Sequence, residues 1–230
     1  MGWNWAHQND EPVHTYPPKR GERRIGQRDF HDVISIFEHE VLLALLEKQT
    51  TAFIQLGASS GKDIAYFART YSAPQFYYSD IAPGAKEYAE KTYSSSKYKI
   101  VFSSHEATEI HEVIDQIDDN MTDVVILIKG MANYILPEDI DKFFGQFSTS
   151  KYNIHLFILD QNKEDKMSGD IVFGRMRYGS YSHNYKELAE ASGFESENWN
   201  IWPSKETGGS DTRLFAYFTM LKNTERTTGT

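Results

Sequence analysis

Two glycines and an acid pose the first chemical question. The stretch "FIQLGASSGKD" runs from apolar Phe53, Ile54 and Leu56 into Gly57 and Gly61, and "KDIAYFARTY" follows with helical spacing. Glycines between a strand and a helix let backbone approach a bound group closely. Asp80 closes the next apolar run, "QFYYSDI". An acid at the end of the second strand can accept hydrogen bonds from both hydroxyls of a ribose. Proton chemistry has fewer candidates. His183 titrates in the useful range, and it either acts as a base or flanks a helix start. Asp160, at the end of the fifth apolar run, is a second candidate whose position also suits a structural turn. His155 lies inside an apolar run and reads as a satisfied core histidine. "HEATE" (105–109) lacks the second histidine of a zinc-protease motif, because Glu109 stands there. No other histidine spacing fits a metal, so none is expected. The absence of cysteine excludes disulfides and thiolate chemistry.

These residues need a scaffold, and the chain has the pattern of one. Its 230 residues suffice for one domain with a substantial core, and 40% are hydrophobic, with 14 Phe and 14 Tyr. Apolar runs at 51–57, 75–81, 98–104, 123–130, 153–161, 199–203 and 213–221 read as strands. Helix candidates lie between them at 62–71, 83–93, 108–117, 137–149 and 183–192. Consecutively apolar strands such as "VVILI" are buried on both faces, as parallel strands under two helix layers are. The expectation is a doubly wound α/β domain: a mostly parallel seven-stranded sheet with helices on both faces and a C-terminal antiparallel hairpin. An amphipathic helix over 28–48 precedes it, and residues 1–50 together read as an N-terminal helical arm acting as a lid. The core is expected over 51–221, with 222–230 a frayed tail.

NAD and S-adenosylmethionine both carry a suitable ribose. The dinucleotide turn asks for G-x-G-x-x-G with pyrophosphate at the helix start, and Asp63 sits badly there. "QLGASSG" instead resembles the first motif of the class I S-adenosylmethionine-dependent methyltransferases, an acid and a spacer followed by G-x-G-x-G. Gln55 replaces the acid and Ser59 the middle glycine. "YYSDIAPGAKEYAEKTY" is similar to that family's second motif, "VFSSHEATEI" to its third and "DVVILIKGMANYI" to its fourth. The resemblance covers roughly residues 51 to 221. It implies that Gln55, Gly57, Ser59 and Gly61 form the cofactor turn, that Asp80 holds the ribose and that Ile81 presses on the adenine. Glu106 and Ala107 would meet the adenine edge, and Lys129 completes the cofactor set. Asn133 and Tyr134 would face the substrate, or else pack at a helix start.

The activity this implies is methyl transfer to an oxygen or nitrogen of a small molecule, with S-adenosyl-L-methionine as cofactor. Positioning does most of the work, and His183, Tyr134 and Asn133 are the catalytic candidates. The segment 163–185, with Arg175, Arg177, Tyr178 and Tyr181, is long for a connection and reads as a second lid. Two alternatives stand: an NAD-binding oxidoreductase, and a non-catalytic sensor or partner subunit that binds S-adenosylmethionine. The net charge of −9 disfavours a nucleic-acid partner. No run is apolar enough for a bilayer, and the N-terminus lacks a signal peptide's order, so a cytoplasmic protein is expected. Oligomeric state stays open, a homodimer among the options.

Overall fold

The computed structural model describes residues 40–71, 75–95, 98–162, 174–175, 181–203 and 212–222. Most of the expected N-terminal arm, most of the 163–185 lid and nearly all of the tail lie outside them. Of the helix expected over 28–48, the described part is α1 (Glu40–Leu46).

Five strands alternate with helices. They are β1 (Thr51–Leu56), β2 (Gln75–Ser79), β3 (Ile100–Ser103), β4 (Asp123–Lys129) and β5 (Asn153–Asn162). Helix α2 (Lys62–Thr70) follows β1, and α3 (Pro83–Tyr93) follows β2. A 3-10 turn (Ala107–Glu109) leads into α4 (Ile110–Ile114), and another (Ala132–Tyr134) precedes α5 (Ile140–Gly145). The chain then runs through β6 (Gly174–Arg175), β7 (Tyr181–Ser182), α6 (Tyr185–Ala191), β8 (Glu195–Pro203) and β9 (Thr212–Met220). The main sheet has seven strands in the order β3-β2-β1-β4-β5-β9-β8. β1 to β5 are mutually parallel, while β9 is antiparallel to both β5 and β8.

The alternation of β1 and β4 divides the core in two. Ala52, Ile54, Leu56, Val124, Ile126 and Ile128 pack with Ile110, Val113, Phe143, Phe144 and Ala189 from α4, α5 and α6. Phe53, Val125 and Leu127 point the other way, onto Leu42, Leu45, Ile64, Phe67 and Ala89 from α1, α2 and α3. Helices therefore cover both faces, as continuously apolar strands require. A sheet wound in both directions from β1 leaves a crevice at the carboxyl ends of β1 and β4, where ligands bind in such folds.

Some expectations differ from the structure in detail. The strand expected at 199–203 begins four residues earlier, at Glu195. Its first half is polar, so no apolar pattern marks it; β8 is an edge strand with a bulge between Ser196 and Asn198. There the Thr219 hydroxyl donates to Glu197 at 2.7 Å. The helices expected over 108–117, 137–149 and 183–192 are shorter, because turns and caps take their ends. α6 starts only at Tyr185, where the Asn184 side chain accepts from the Glu187 amide at 3.4 Å. The two-residue ladder β6–β7 carries too little pattern to be read from sequence. No helix among the described residues is long and apolar enough to cross a membrane.

Candidate cofactor and substrate site

The turn after β1 is built from three left-handed residues. Gly57 (φ +68°), Ser59 (+49°) and Gly61 (+71°) reverse the chain between β1 and α2. Left-handed backbone strains a non-glycine residue, and Ser59 is held there from both sides. Its amide donates to Asp80 Oδ2 at 2.7 Å, and its carbonyl accepts from the Tyr78 hydroxyl at 2.6 Å. The amides of Gly57 and Ala58 both donate to the carbonyl of Ser79. The sequence position that resembles a middle glycine thus keeps the glycine-like conformation with serine in it.

The two glycines have different neighbours. A Cβ on Gly57 would lie 2.5 Å from Met131 Cγ, so the residue is small because the Met131 side chain crosses it. A Cβ on Gly61 would lie 3.0 Å from Ala89 Cβ, which makes this glycine a packing contact with α3. Met131 had no signal in the sequence, since its approach to Gly57 depends on β1 and β4 being neighbours.

Asp80 serves the turn on both sides. Besides Ser59, it accepts the Ala82 amide on Oδ1 at 2.9 Å, at the start of α3. Burial pushes its carboxyl above the usual range, and the hydrogen bonds from Ala82 and Ser59 offset part of that. A carboxylate has about four lone-pair sites, so two backbone bonds leave capacity for ribose hydroxyls. Ile81, next in sequence, is 46% exposed. Glu106 is exposed and Ala107 half-buried, and the Glu106 amide donates to the Glu109 carboxylate at 3.3 Å. Gln55 is 3% exposed, and its Oε1 has no hydrogen-bond partner. Lys129 ends β4, and its ammonium lies 2.8 Å from Asp63 Oδ2 in the first turn of α2.

A second polar group gathers past β4 and β5. Asp160 is fully buried and accepts the Asn133 amide on Oδ2 at 2.9 Å. Asn133 is buried, and its Oδ1 has no partner. Tyr134 is 43% exposed; burial and then Asp160 push its phenol up. Burial and then the same carboxylate raise the Tyr185 phenol. His183 is buried and packs between the rings of Tyr181 and Tyr185. Its Nε2 donates to the Ile135 carbonyl at 3.0 Å, which leaves Nδ1 as the basic nitrogen. Burial lowers its pKa, and the bond to Ile135 opposes this. His183 also borders an open groove of about 570 Å³ with Pro137, Asp141, Asn184, Glu187 and Leu188.

The sequence-predicted residues therefore fall into two groups. Gln55, Gly57, Ser59, Gly61, Asp80, Ile81 and Lys129 surround the turn after β1, with Glu106 and Ala107 beyond β3. Asn133, Tyr134 and His183 stand together past β4. His155 is where the sequence put it, inside the core: Nε2 lies 3.1 Å from Asp123 Oδ1, and Nδ1 lies 2.9 Å from the Tyr217 hydroxyl. Among the described residues, no group of three or more metal-binding side chains occurs.

Solved structures share this fold. A Galdieria sulphuraria protein described as a sarcosine dimethylglycine methyltransferase superposes with a TM-score of 0.56 at 15% identity. The match covers 79% of this chain and 82% of that one. The fold is that of the class I S-adenosylmethionine-dependent methyltransferases. The Streptomyces coelicolor geranyl diphosphate C-methyltransferase, solved with S-adenosyl-L-homocysteine, matches this methyltransferase fold at a TM-score of 0.56 and 8% identity. There the coverage is 78% of this chain and 74% of that one. The [4+2]-cyclase SpnF matches at 0.54 and 12% identity, over 78% of both chains. No family model and no curated protein sequence matches the chain.

Proposed function

We propose that this protein binds S-adenosyl-L-methionine at the turn after β1 and transfers its methyl group to an oxygen or nitrogen of a small molecule. The observation that carries the reading is the left-handed turn pinned by Asp80, with exposed Ile81 beside it. These residues fit the cofactor. Asp80 would accept the ribose hydroxyls, Ile81 would pack on the adenine, and Glu106 and Ala107 would border its edge. Gln55 Oε1, a buried acceptor without a donor, fits a ligand that brings one.

When bound, the cofactor supplies an electrophilic methyl on a sulfonium. The chain's own part is to hold the acceptor in line and keep water out. Asn133 and Tyr134 would orient the acceptor past β4. His183 Nδ1 would take its proton, since burial keeps that imidazole neutral at pH 7. The similar proteins described as acting on sarcosine and dimethylglycine or on geranyl diphosphate support a small-molecule acceptor.

NAD is the weaker ligand. Asp63, in the first turn of α2, puts a carboxylate where a pyrophosphate would be held. A reading without methyl transfer draws on the match to a [4+2]-cyclase, which shows that this fold carries other chemistry. Calorimetry with S-adenosylhomocysteine and NAD tests the ligand: the first should bind and the second should not. Binding of NAD alone would reverse the assignment.

A further inference from the structure

The open groove beside His183 has walls of one charge sign. Asp141 comes from the first turn of α5 and Glu187 from the first turn of α6, and among the described residues no lysine or arginine lines it. Lys186, the next residue back on α6, is engaged with Glu190 at 4.0 Å. Glu187 accepts from the Asn184 side chain on one oxygen, and Asp141 has no partner among the described residues. Helix starts favour acids in any protein, so the two carboxylates alone decide nothing. His183 supplies the independent observation. It is 6% exposed, and its Nε2 is turned onto the Ile135 carbonyl. Nδ1 is the nitrogen left for the groove, and it has no partner among the described residues. A buried acceptor without a donor carries a desolvation cost that folding leaves unexplained. Asn133 Oδ1, on the turn that leads into Ile135, is a second such acceptor. These groups all accept hydrogen bonds or carry negative charge.

The matching ligand donates hydrogen bonds and is positively charged. An ammonium offers three donors and no acceptor, whereas a hydroxyl would leave both carboxylates without a counter-charge. The remaining walls are largely apolar or aromatic, with Pro137, Leu188, Ala191 and the Tyr181 ring. Apolar walls suit a methylene chain, and the face of a tyrosine ring attracts a cation. A volume of about 570 Å³ is room for a small metabolite.

We propose that the methyl acceptor is an aliphatic amine with a second cationic centre, that centre held by Asp141 and Glu187 and the reacting nitrogen placed at His183. The assignment rests on the methyl-transfer reading above and narrows it from oxygen or nitrogen to nitrogen. The reacting ammonium gives one proton to His183 Nδ1. The freed nitrogen lone pair forms the new N–C bond, and the S–C bond of the sulfonium breaks with its electron pair left on sulfur. The products are a methylated ammonium, a neutral thioether and an imidazolium that returns its proton to water.

Charge fractionation tests this directly. A cell extract cleared of macromolecules is separated on a cation exchanger at pH 7 into retained and unretained metabolites. Each pool is incubated with the whole protein and methyl-labelled S-adenosylmethionine, and products are then separated from unreacted cofactor. Label should appear in a product of the retained pool, with the methyl on nitrogen by mass spectrometry. Asp141→Asn combined with Glu187→Gln should lower that labelling by about tenfold or more, the loss of a charge-assisted contact. Its affinity for S-adenosylhomocysteine should stay at the wild-type value, which also reports that the variant is folded. Asp141→Glu combined with Glu187→Asp keeps both charges and should keep most of the labelling. Label confined to the unretained pool, a methyl on oxygen, full labelling by the neutral variant, or equal losses in the two variants would overturn the inference and leave methyl transfer standing. No label from either pool, with S-adenosylhomocysteine bound, would overturn the methyl-transfer reading with it.

Discussion

Asp80 Oδ2 lies 2.7 Å from the Ser59 amide, so the acid at the end of β2 holds the strained centre of the turn after β1. One carboxylate thereby shapes the turn and, in the proposed function, would also accept the ribose hydroxyls. Asp80→Ala should weaken binding of S-adenosylhomocysteine by at least about tenfold, equivalent to roughly 1.4 kcal/mol. It should also lower thermal stability, because Ser59 loses one of its two restraints. Unchanged affinity in a folded variant would end the ribose assignment.

Gly57 is constrained twice, by a φ of +68° and by Met131. Gly57→Ala should cost about 1–2 kcal/mol for the left-handed backbone alone, with a further loss from the contact. Pairing it with Met131→Ala should restore only the contact part. Denaturant melts of the single and double variants measure both terms. Full recovery in the double variant would show that backbone strain plays no part.

His183 should act as a base only in its neutral form. Burial lowers its pKa, so the neutral imidazole persists to lower pH than for a free histidine. Turnover should fall on the acid side, below the ordinary histidine value of about 6.5. His183→Ala should cut turnover by about 10²-fold and abolish that limb, with cofactor affinity little changed. An acid limb that survives in the variant would remove His183 from the chemistry.

At the other end of the sheet, Asp123 ties β4 to its neighbours. Burial pushes its carboxyl up, but hydrogen bonds from His155, Asn153 and Thr122 and the nearby Lys48 ammonium outweigh this and hold it well below the usual range. A depressed carboxylate adds stability above its unfolded pKa of about 3.9, and that stability is lost as pH falls further. Asp123→Asn should therefore destabilise the protein at pH 7 by about 1.5–3 kcal/mol, the worth of a hydrogen bond to a charged group, and by progressively less in acid. A constant difference across pH 2 to 7 would contradict the linkage.

Much of this was legible because burial writes itself into strands. "VVILI" and "HLFIL" are apolar without alternation, which demanded helices on both faces and so the doubly wound order. The polar start of β8 left no such trace, because an edge strand need not be apolar. At the site, Gly57, Ser59, Gly61 and Asp80 were visible because a turn between strand and helix is local. Contacts between distant segments were not. Met131 over Gly57, Lys129 on Asp63 and Asp160 beneath Asn133 each join residues from separate strands or helices. Only the strand order brings them together.

The most direct measurement is methyl transfer itself. Purified protein would be incubated with S-adenosylmethionine labelled in its methyl group and a cell extract cleared of macromolecules. The proposed function predicts label in a small molecule with the wild-type chain, and far less with Asp80→Ala. Binding of S-adenosylhomocysteine with no label transferred from any extract would contradict it, and would leave a protein that holds the cofactor without using its methyl group.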